Sequence, residues 1–228
     1  MPLIVLEGLD GAGKSTQVKL LSEYFVSKSL KTYCLHFPRL NVSIFGELIA
    51  EFLRGEFGDI NQVHPKLVAL LYAGDRWHAS AELNNYLKNN YIVILDRYVF
   101  SNVAYQCAKI NDNQEKIKFV NWLLDLEFNF YKIPKPDVNI FLDVPINFIR
   151  EKLSEPRESS ERDYLKGKKD IHEQNIEFQF KVRDEYLFLC KNYNMHLIDC
   201  SENGKIATQE VVFNRLLNLL KKEKIFEF

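Results

Sequence analysis

The sequence predicts an α/β fold in which a five-stranded parallel sheet carries helices on both faces. Two observations lead to this prediction: five short apolar segments have the character of buried strands, and the longer stretches between them have helical spacing. Strands that alternate with helices pair in parallel, and the helices then cover both faces of the sheet. The expected strands are Leu3–Glu7, Thr32–His36, Ile92–Asp96, Val138–Asp143 and His196–Asp199.

Length and composition indicate one globular domain over residues 1–228, with 46% hydrophobic and 27% charged residues. The 30 basic residues nearly balance 31 acidic ones, which argues against a dedicated nucleic-acid or membrane-surface binder. The first apolar stretch has no basic lead and is cut short by Glu7, and no apolar run approaches the roughly 20 residues of a membrane span. We therefore expect a cytoplasmic protein with no nucleic-acid or membrane partner.

A phosphate-binding loop is predicted at residues 8–15, where GLDGAGKS fits the pattern G-x-x-x-x-G-K-[ST]. The context supports the match, because an apolar strand precedes it and a helix follows from Lys14. Glycines let the backbone approach phosphates, and successive N–H groups point inward at the helix N-terminus. Lys14 would reach the β- and γ-phosphates and the Ser15 hydroxyl would ligate Mg²⁺. The candidate residues here are Gly8, Leu9, Asp10, Gly11, Ala12, Gly13, Lys14, Ser15 and Thr16.

The stretch VILDRY carries a second pair of candidates. Asp96 ends an expected strand at its carboxyl end, where open α/β sheets bind ligands. Its carboxylate could hold Mg²⁺ through water, and Arg97 could clamp a phosphate with two hydrogen bonds. A structural ion pair at the strand end would account for the same two residues.

The stretch LLYAGDRW, residues 70–77, lies in an expected helix. Tyr72 and Arg76 are four residues apart, so they share a helix face. An aromatic face beside a guanidinium suits a flat base with carbonyl edges. A core aromatic beside a surface arginine is the commoner arrangement with this spacing.

The segment at residues 150–169 is the most polar in the chain, with seven basic and five acidic residues. Its composition predicts a mobile surface loop between the fourth strand and the next helix. That helix is expected to begin near Asp170, because Asp170 and Glu173 form a D-x-x-E capping pattern before an apolar run.

Together these elements resemble the thymidylate kinases, P-loop nucleoside monophosphate kinases that phosphorylate dTMP with ATP. The combination of the phosphate loop with DRY-x-x-S-x-x-A-Y-Q is specific to that family. The resemblance implies a three-layer P-loop kinase fold with a lid at about 150–169, ATP as phosphate donor, Mg²⁺ and a homodimer. It covers nearly the whole chain, through EGLDGAGKST at 7–16, FPR at 37–39, LLYAGDRW at 70–77, DRYVFSNVAYQ at 96–106, PKPD at 134–137 and KDIHEQN at 169–175.

The resemblance also implies a role for each acceptor-side residue. Tyr72 would stack on thymine, Arg76 would bond a thymine carbonyl, and Asn102 would lie near the N3 edge. Arg97 would bind the dTMP phosphate with help from Arg39. The complete implied acceptor site is Asp10, Phe37, Pro38, Arg39, Tyr72, Arg76, Arg97, Ser101, Asn102, Tyr105 and Gln106.

The sugar contacts are implied in the same way. Tyr105 would crowd the 2′ position and disfavour ribonucleotides, with Gln106 beside it. Asp10, inside the phosphate loop, would meet the 3′-hydroxyl.

Three departures from the family pattern concern the phosphate-transfer step. Some relatives carry an arginine where this chain has Gly11, which implies that a lid arginine neutralises the transferred charge. Relatives with a glycine in the loop often have an Asp-Arg pair near the end of the lid, where this chain has Lys169 and Asp170. Lys152 takes the place of an arginine on the adenine ring. The resulting catalytic candidates are Lys14, Arg97, Arg157 and Arg162.

Two other functions share part of this pattern. A deoxynucleoside kinase has the same loop and a similar strand-end motif, but its uncharged acceptor gives Arg39 and Arg97 no purpose. A nucleotide switch of the GTPase kind would need an N-K-x-D motif, which the sequence lacks, and a D-x-x-G after a buried strand.

Overall fold

The computed structural model describes residues 1–60, 62–154, 164–165, 170–172 and 176–226, and for residues 152–154 it describes the backbone alone. Its main sheet has five parallel strands in the order β2-β3-β1-β4-β5. The strands have the bounds expected from the sequence: β1 (Leu3–Glu7), β2 (Thr32–His36), β3 (Ile92–Asp96), β4 (Val138–Asp143) and β5 (His196–Asp199).

Helices cover both faces of this sheet. Helices α1 and α8 lie on one face, and α3, α4 and α7 lie on the other, which confirms the predicted three layers. A π-helical turn at Leu126–Phe130 follows α5, and no helix among the described residues is long and apolar enough to cross a membrane. The helices are α1 (Lys14–Ser27), α2 (Ile44–Leu53), α3 (Pro65–Lys88), α4 (Val99–Cys107), α5 (Asn113–Asp125), α6 (Ile146–Ser154), α7 (Ile176–Asn192) and α8 (Gln209–Lys222).

Burial differs along the sheet. Strands β1 and β3 are buried over their whole length and β4 over all but its last residue. The expectation of full burial is wrong for β2 and β5, which are partly exposed because they form the two edges of the sheet. The interior strands therefore carry the core, and their carboxyl ends meet at one edge.

The predicted surface loop at residues 150–169 is wrong at its start, and its residues 155–163 and 166–169 lie outside the described part of the chain. Helix α6 continues to Ser154, so the first five residues of the segment, 150–154, are helical. Farther along, Leu165 is buried, and Arg54 at the end of α2 donates a hydrogen bond to the Tyr164 carbonyl at 2.7 Å. Leu165 is apolar and Tyr164 is aromatic, and Tyr164 packs against the hydrophobic cluster between α2 and α3.

The helix expected near Asp170 begins instead at Ile176. The Asp170 carboxylate accepts hydrogen bonds from the His172 N–H at 2.8 Å and from the Tyr164 hydroxyl at 3.0 Å. It closes a local turn rather than capping α7, so the D-x-x-E prediction is wrong.

A small antiparallel hairpin, β6 (Ser201–Glu202) and β7 (Lys205–Ile206), follows β5 and was not expected from the sequence. Its two turn residues, Asn203 and Gly204, have φ values of 51° and 74°. Asn-Gly with both residues at positive φ is the preferred two-residue hairpin turn. This dipeptide was therefore an available signal.

Gly46 in the first turn of α2 generates a stability prediction. A Cβ at this position would lie 2.2 Å from the Arg39 carbonyl oxygen. An exposed helical Gly→Ala change stabilises by about 1 kcal/mol, whereas we expect Gly46→Ala to lower the free energy of unfolding by about 2 kcal/mol, because the clash is with backbone. Urea unfolding followed by circular dichroism measures it. A variant whose free energy of unfolding is unchanged or higher would contradict the close contact of α2 with the backbone at Arg39.

Candidate active site

A cleft of about 700 Å³ opens at the carboxyl edge of the sheet, between the phosphate loop, α3 and α4. Ligands bind at this edge in open α/β sheets, because the strand order reverses beside the central strand. The cleft brings together predicted residues from four separate stretches of chain. Those that line it are Asp10, Gly11, Lys14, Ser15, Phe37, Pro38, Tyr72, Arg76, Asp96, Arg97, Ser101, Asn102, Tyr105 and Gln106.

The phosphate loop has the backbone that its glycines predict. Gly11 and Gly13 have φ values of 82° and 79°, which glycine adopts without steric cost, and α1 starts directly after them at Lys14. The Lys14 ammonium donates to the Leu9 carbonyl at 2.9 Å, so it folds back over its own loop. Burial and the nearby Arg97 cation lower the pKa of Lys14 to about 8, although Asp96 and Asp10 oppose the shift.

Ser15 and Asp96 meet at the base of this loop and fit a divalent cation. The Ser15 hydroxyl donates to Asp96 Oδ2 at 2.8 Å, while buried Asp96 Oδ1 has no hydrogen-bond partner in the described part of the chain. Burial raises the pKa of Asp96, but Lys14, with His36 and Arg97, lowers it well below its usual range. An ionised carboxylate with one unpaired oxygen beside a hydroxyl is the oxygen donor set that Mg²⁺ prefers.

Arg97 lies between the phosphate loop and α4. Its Nη2 donates to Asp10 Oδ1 at 2.7 Å, and its Nη1 donates to Ser101 Oγ at 3.1 Å. The Tyr105 hydroxyl donates to the other Asp10 oxygen at 2.9 Å. Burial raises the pKa of Asp10, but the Arg97 and Lys14 cations outweigh it and hold the pKa below its usual range.

The backbone at Arg97 is strained. Its φ is 67°, and its N–H donates to the Leu6 carbonyl of β1 at 2.8 Å. A non-glycine residue in this left-handed conformation costs about 1–3 kcal/mol and persists where the surroundings over-determine it, often at functional sites. Arg97 lines the cleft, so this strained position belongs to the site.

Residues of α3 and α4 form the opposite wall of the cleft. Glu127 holds the Arg76 guanidinium in a bidentate pair, with Nε at 2.6 Å and Nη2 at 2.5 Å from its two oxygens. Arg76 is thereby fixed, and its Nη1 lies 3.4 Å from the Tyr98 carbonyl. Asn102 donates to the Ala69 carbonyl at 3.0 Å, while its buried Oδ1 has no hydrogen-bond partner among the described residues.

Comparison with known proteins places the chain in a family. The family profile for thymidylate kinase matches residues 6–211. The chain belongs to the thymidylate kinase family. It is 36% identical to the thymidylate kinase of Mycobacterium tuberculosis over 81% of this chain and 83% of that protein. It is 32% identical to a probable thymidylate kinase of Saccharolobus solfataricus over 92% of this chain and 94% of that one.

Solved structures agree with this assignment. The thymidylate kinase of Candida albicans superposes with a TM-score of 0.71 at 26% identity, covering 98% of this chain and 92% of that chain. The thymidylate kinase of Ehrlichia chaffeensis gives a TM-score of 0.64 at 22% identity, over 96% of this chain and 98% of that one. The P-loop kinase fold that the resemblance implied is thus confirmed.

Arg39, a predicted acceptor-side residue, is held by Asp75 of α3 in this structure. Its Nε and Nη2 contact Asp75 Oδ1 at 3.0 Å and 2.9 Å, and it is absent from the described lining of the cleft. Asp75 is fully buried on α3, so its carboxylate requires a cation and holds Arg39. Arg39 therefore forms a buried ion pair with Asp75 in this structure, and its role in binding the dTMP phosphate stays a prediction.

The lid side of the predicted site lies outside the described residues. This applies to Arg157, Arg162 and Lys169, and to the side chain of Lys152. Among the described residues, the lysines and arginines that line the cleft are Lys14, Arg76 and Arg97. Arg76 forms an ion pair with Glu127, and Arg97 forms one with Asp10. Of these three cations, Lys14 has no ion-pair partner within 4 Å among the described residues.

Two residues that line or support the thymidylate kinase cleft were not singled out from the sequence. Glu127 carries no sequence signal, because it lies 51 residues from Arg76 in a π-helical turn. His172 is 5% exposed, and its ring lies 5.0 Å from that of Tyr105. Burial lowers the pKa of His172 to about 3, so the imidazole is neutral at neutral pH. Its position inside KDIHEQN was the available clue.

The contrast between Arg97 and Arg39 gives a testable prediction. We expect Arg97→Ala to lower kcat/KM for dTMP about 10- to 100-fold, because hydrogen bonds from a charged donor are worth about 1.5–3 kcal/mol. Arg39→Ala should change kcat/KM for dTMP less than about three-fold. It should lower the free energy of unfolding by about 3 kcal/mol, because it leaves the buried Asp75 carboxylate without its cation. Steady-state kinetics and urea unfolding measure both, and the reverse ranking would restore Arg39 to the acceptor site.

The lowered pKa of Lys14 predicts an alkaline limb in the activity profile. Its charged form is lost near pH 8 in the free enzyme, where an exposed lysine would keep its proton. We expect kcat/KM for ATP to fall above that pH, because this parameter reports free-enzyme ionisations and a neutral amine attracts phosphate poorly. Lys14→Arg stays charged throughout and should lose the limb along with much of its activity. A limb that persists in this variant would assign it to another group.

Proposed function

We propose that this protein transfers the γ-phosphate of ATP to dTMP and forms dTDP and ADP, a step toward dTTP. The observation that carries the proposal is a single cleft with a phosphate loop at one end and a base-sized wall at the other. On that wall, the Tyr72 ring offers a stacking face, the unpaired Asn102 Oδ1 matches the N3–H of thymine, and the fixed Arg76 matches a carbonyl. Base–aromatic stacking contributes about 1–3 kcal/mol per base in nucleic-acid binders.

The sugar and phosphate of dTMP would lie along the Asp10, Arg97 and Tyr105 cluster. The Tyr105 hydroxyl is held on Asp10 at 2.9 Å, so its ring would form a fixed wall that disfavours a 2′-hydroxyl. Besides holding Arg97 and Tyr105, Asp10 would accept a hydrogen bond from the 3′-hydroxyl. Arg97 then turns from Asp10 to the dTMP phosphate, which offers it a bidentate partner of higher charge.

The transfer itself requires alignment and charge neutralisation. An oxygen of the dTMP phosphate, largely ionised at neutral pH, forms the bond to the γ-phosphorus, and the bond from that phosphorus to the β,γ-bridging oxygen breaks as ADP leaves. No general base is needed. Lys14 and Arg97 neutralise the charge on the moving group from the loop side and the acceptor side. Mg²⁺ held by Ser15 and Asp96 would supply further positive charge next to the ATP phosphates.

A deoxynucleoside kinase is the alternative, and the comparisons do not favour it. Such an enzyme phosphorylates an uncharged nucleoside, which gives buried Arg97 no anion on the acceptor side. The test incubates the protein with ATP and Mg²⁺, together with dTMP, thymidine or no acceptor, and follows ADP release. We expect turnover with dTMP alone. Turnover with thymidine but not dTMP would overturn the proposal.

The lid arginines form a separate prediction. Because Gly11 occupies the loop position where some relatives carry an arginine, we propose that Arg162 or Arg157 neutralises the transferred charge. An arginine that acts in the transition state lowers kcat with little change in KM, and such arginines are worth about 10³–10⁵ in related chemistry. Kinetics of Arg157→Ala, Arg162→Ala and the double variant measure this. A double variant with kcat within a few-fold of the parent would leave the task to Arg97 and Lys14.

We also propose that two copies of this chain associate. Large apolar side chains stand exposed on α2 and α3: Ile44 is 69% exposed, Leu67 59% and Trp77 49%. A second copy would cover such a surface. Light scattering after size exclusion should give a mass near twice 26.8 kDa, and Leu67→Glu should shift it toward the monomer. A monomeric parent at micromolar concentration would contradict the dimer.

A further inference from the structure

The start of helix α4 is capped by a residue from another element. The first N–H groups of any helix have no partner within it, and the α4 N-cap residue, Tyr98, makes no side-chain capping bond. Glu7, the last residue of β1, supplies the acceptor: its Oε1 receives the Tyr98 N–H at 3.0 Å and the Ser101 N–H at 3.1 Å. A carboxylate at a helix N-terminus is also favoured by the helix dipole.

The second Glu7 oxygen is equally well bonded. The Ser101 hydroxyl donates to Oε2 in a short contact, and the Tyr186 hydroxyl lies 3.3 Å from the same oxygen. The Tyr186 ring stacks on Phe141 of β4 at 4.6 Å, which fixes its position. Glu7 is completely buried, and burial raises the pKa of its carboxyl while Ser101 and Arg97 partly oppose that.

We propose that Glu7 is a positioning residue, which couples the ATP-binding loop to the dTMP-binding residues Arg97 and Ser101. Glu7 directly precedes Gly8, where the phosphate loop begins. It binds the N–H of Tyr98, which follows Arg97 in sequence, and that of Ser101, which contacts the Arg97 guanidinium. Arg97 itself donates its N–H to the Leu6 carbonyl at 2.8 Å and its Nη1 to Ser101 Oγ at 3.1 Å. One end of β1 therefore sets the position of both the donor loop and the acceptor clamp.

This inference rests on the proposed function, since it concerns the geometry of in-line transfer between those two groups. Reacting atoms must be held near contact distance, and a displacement of about 1 Å can cost about 100-fold in rate. A glutamate that only stabilised the fold would lower stability and leave the kinetics of the folded enzyme unchanged. Positioning predicts instead a selective loss on the dTMP side.

The test compares Glu7→Gln with Glu185→Gln in the full-length protein. Glu185 is also a buried carboxylate, but it pairs with Lys116 and does not line the cleft, so it is a matched control for burial. Glutamine keeps the size of Glu7 and one carbonyl oxygen, but it places an NH₂ group against existing donors. We expect Glu7→Gln to lower kcat/KM for dTMP about 10- to 100-fold, with KM for ATP within two-fold of the parent.

Two further measurements keep the proposal falsifiable. Calorimetric titration with dTMP should show weaker binding to Glu7→Gln, while thermal unfolding reports its stability. If Glu7→Gln does not fold, Tyr186→Phe keeps the stacked ring and removes a hydroxyl that lies 3.3 Å from Glu7, 2.8 Å from Ser101 Oγ and 3.5 Å from Arg97 Nη1, and it should lower kcat/KM for dTMP about three-fold.

The outcomes separate cleanly. Unchanged dTMP binding and kinetics in a folded Glu7→Gln variant, or in Tyr186→Phe where the first does not fold, overturn the positioning role. Equal increases in KM for ATP and for dTMP do the same. A parent enzyme that neither binds nor phosphorylates dTMP overturns the proposed function, and the inference with it.

Discussion

The parallel pairing of the buried strands β1 and β3 is the constraint on which the rest of the structure depends. In this register Leu6 faces Asp96, so both strands end at the same level of the sheet. A buried strand end exposes backbone groups that need partners, and here the phosphate loop, Glu7 and the Arg97 turn satisfy them. Residues 81 to 95 positions apart in sequence therefore become neighbours at one edge.

Paired charges then determine which cations face the cleft. Arg39, Arg76 and Arg97 are all buried, and each is held by a carboxylate: Asp75, Glu127 and Asp10, respectively. The partner of Arg39 does not line the cleft. The partner of Arg97 lies inside the cleft, beside the place where phosphates are expected. The same residue type thus serves structure in one case and ligand binding in the other, according to where its counter-charge lies.

Local chemistry explains where prediction from sequence succeeded and where it did not. The phosphate loop was predictable because its glycines, its lysine and its flanking strand and helix are all adjacent in sequence. The Asn203–Gly204 hairpin was predictable on the same grounds, although it was missed. Asp170 was wrongly read as a helix cap, because a short carboxylate that bonds a nearby N–H serves a turn as readily as a helix start.

The sequence by itself determined the fold class, the strand bounds, the phosphate loop and the family, because these depend on periodicity and on motifs of contiguous residues. It also identified the two residues of α3 that share one face of the cleft. Only the tertiary structure decided that Glu127 fixes Arg76, that Asp75 captures Arg39, and that Glu7 caps α4. Each of these contacts joins separate elements, and a buried charge takes the partner that packing brings within hydrogen-bond distance, which no local pattern specifies.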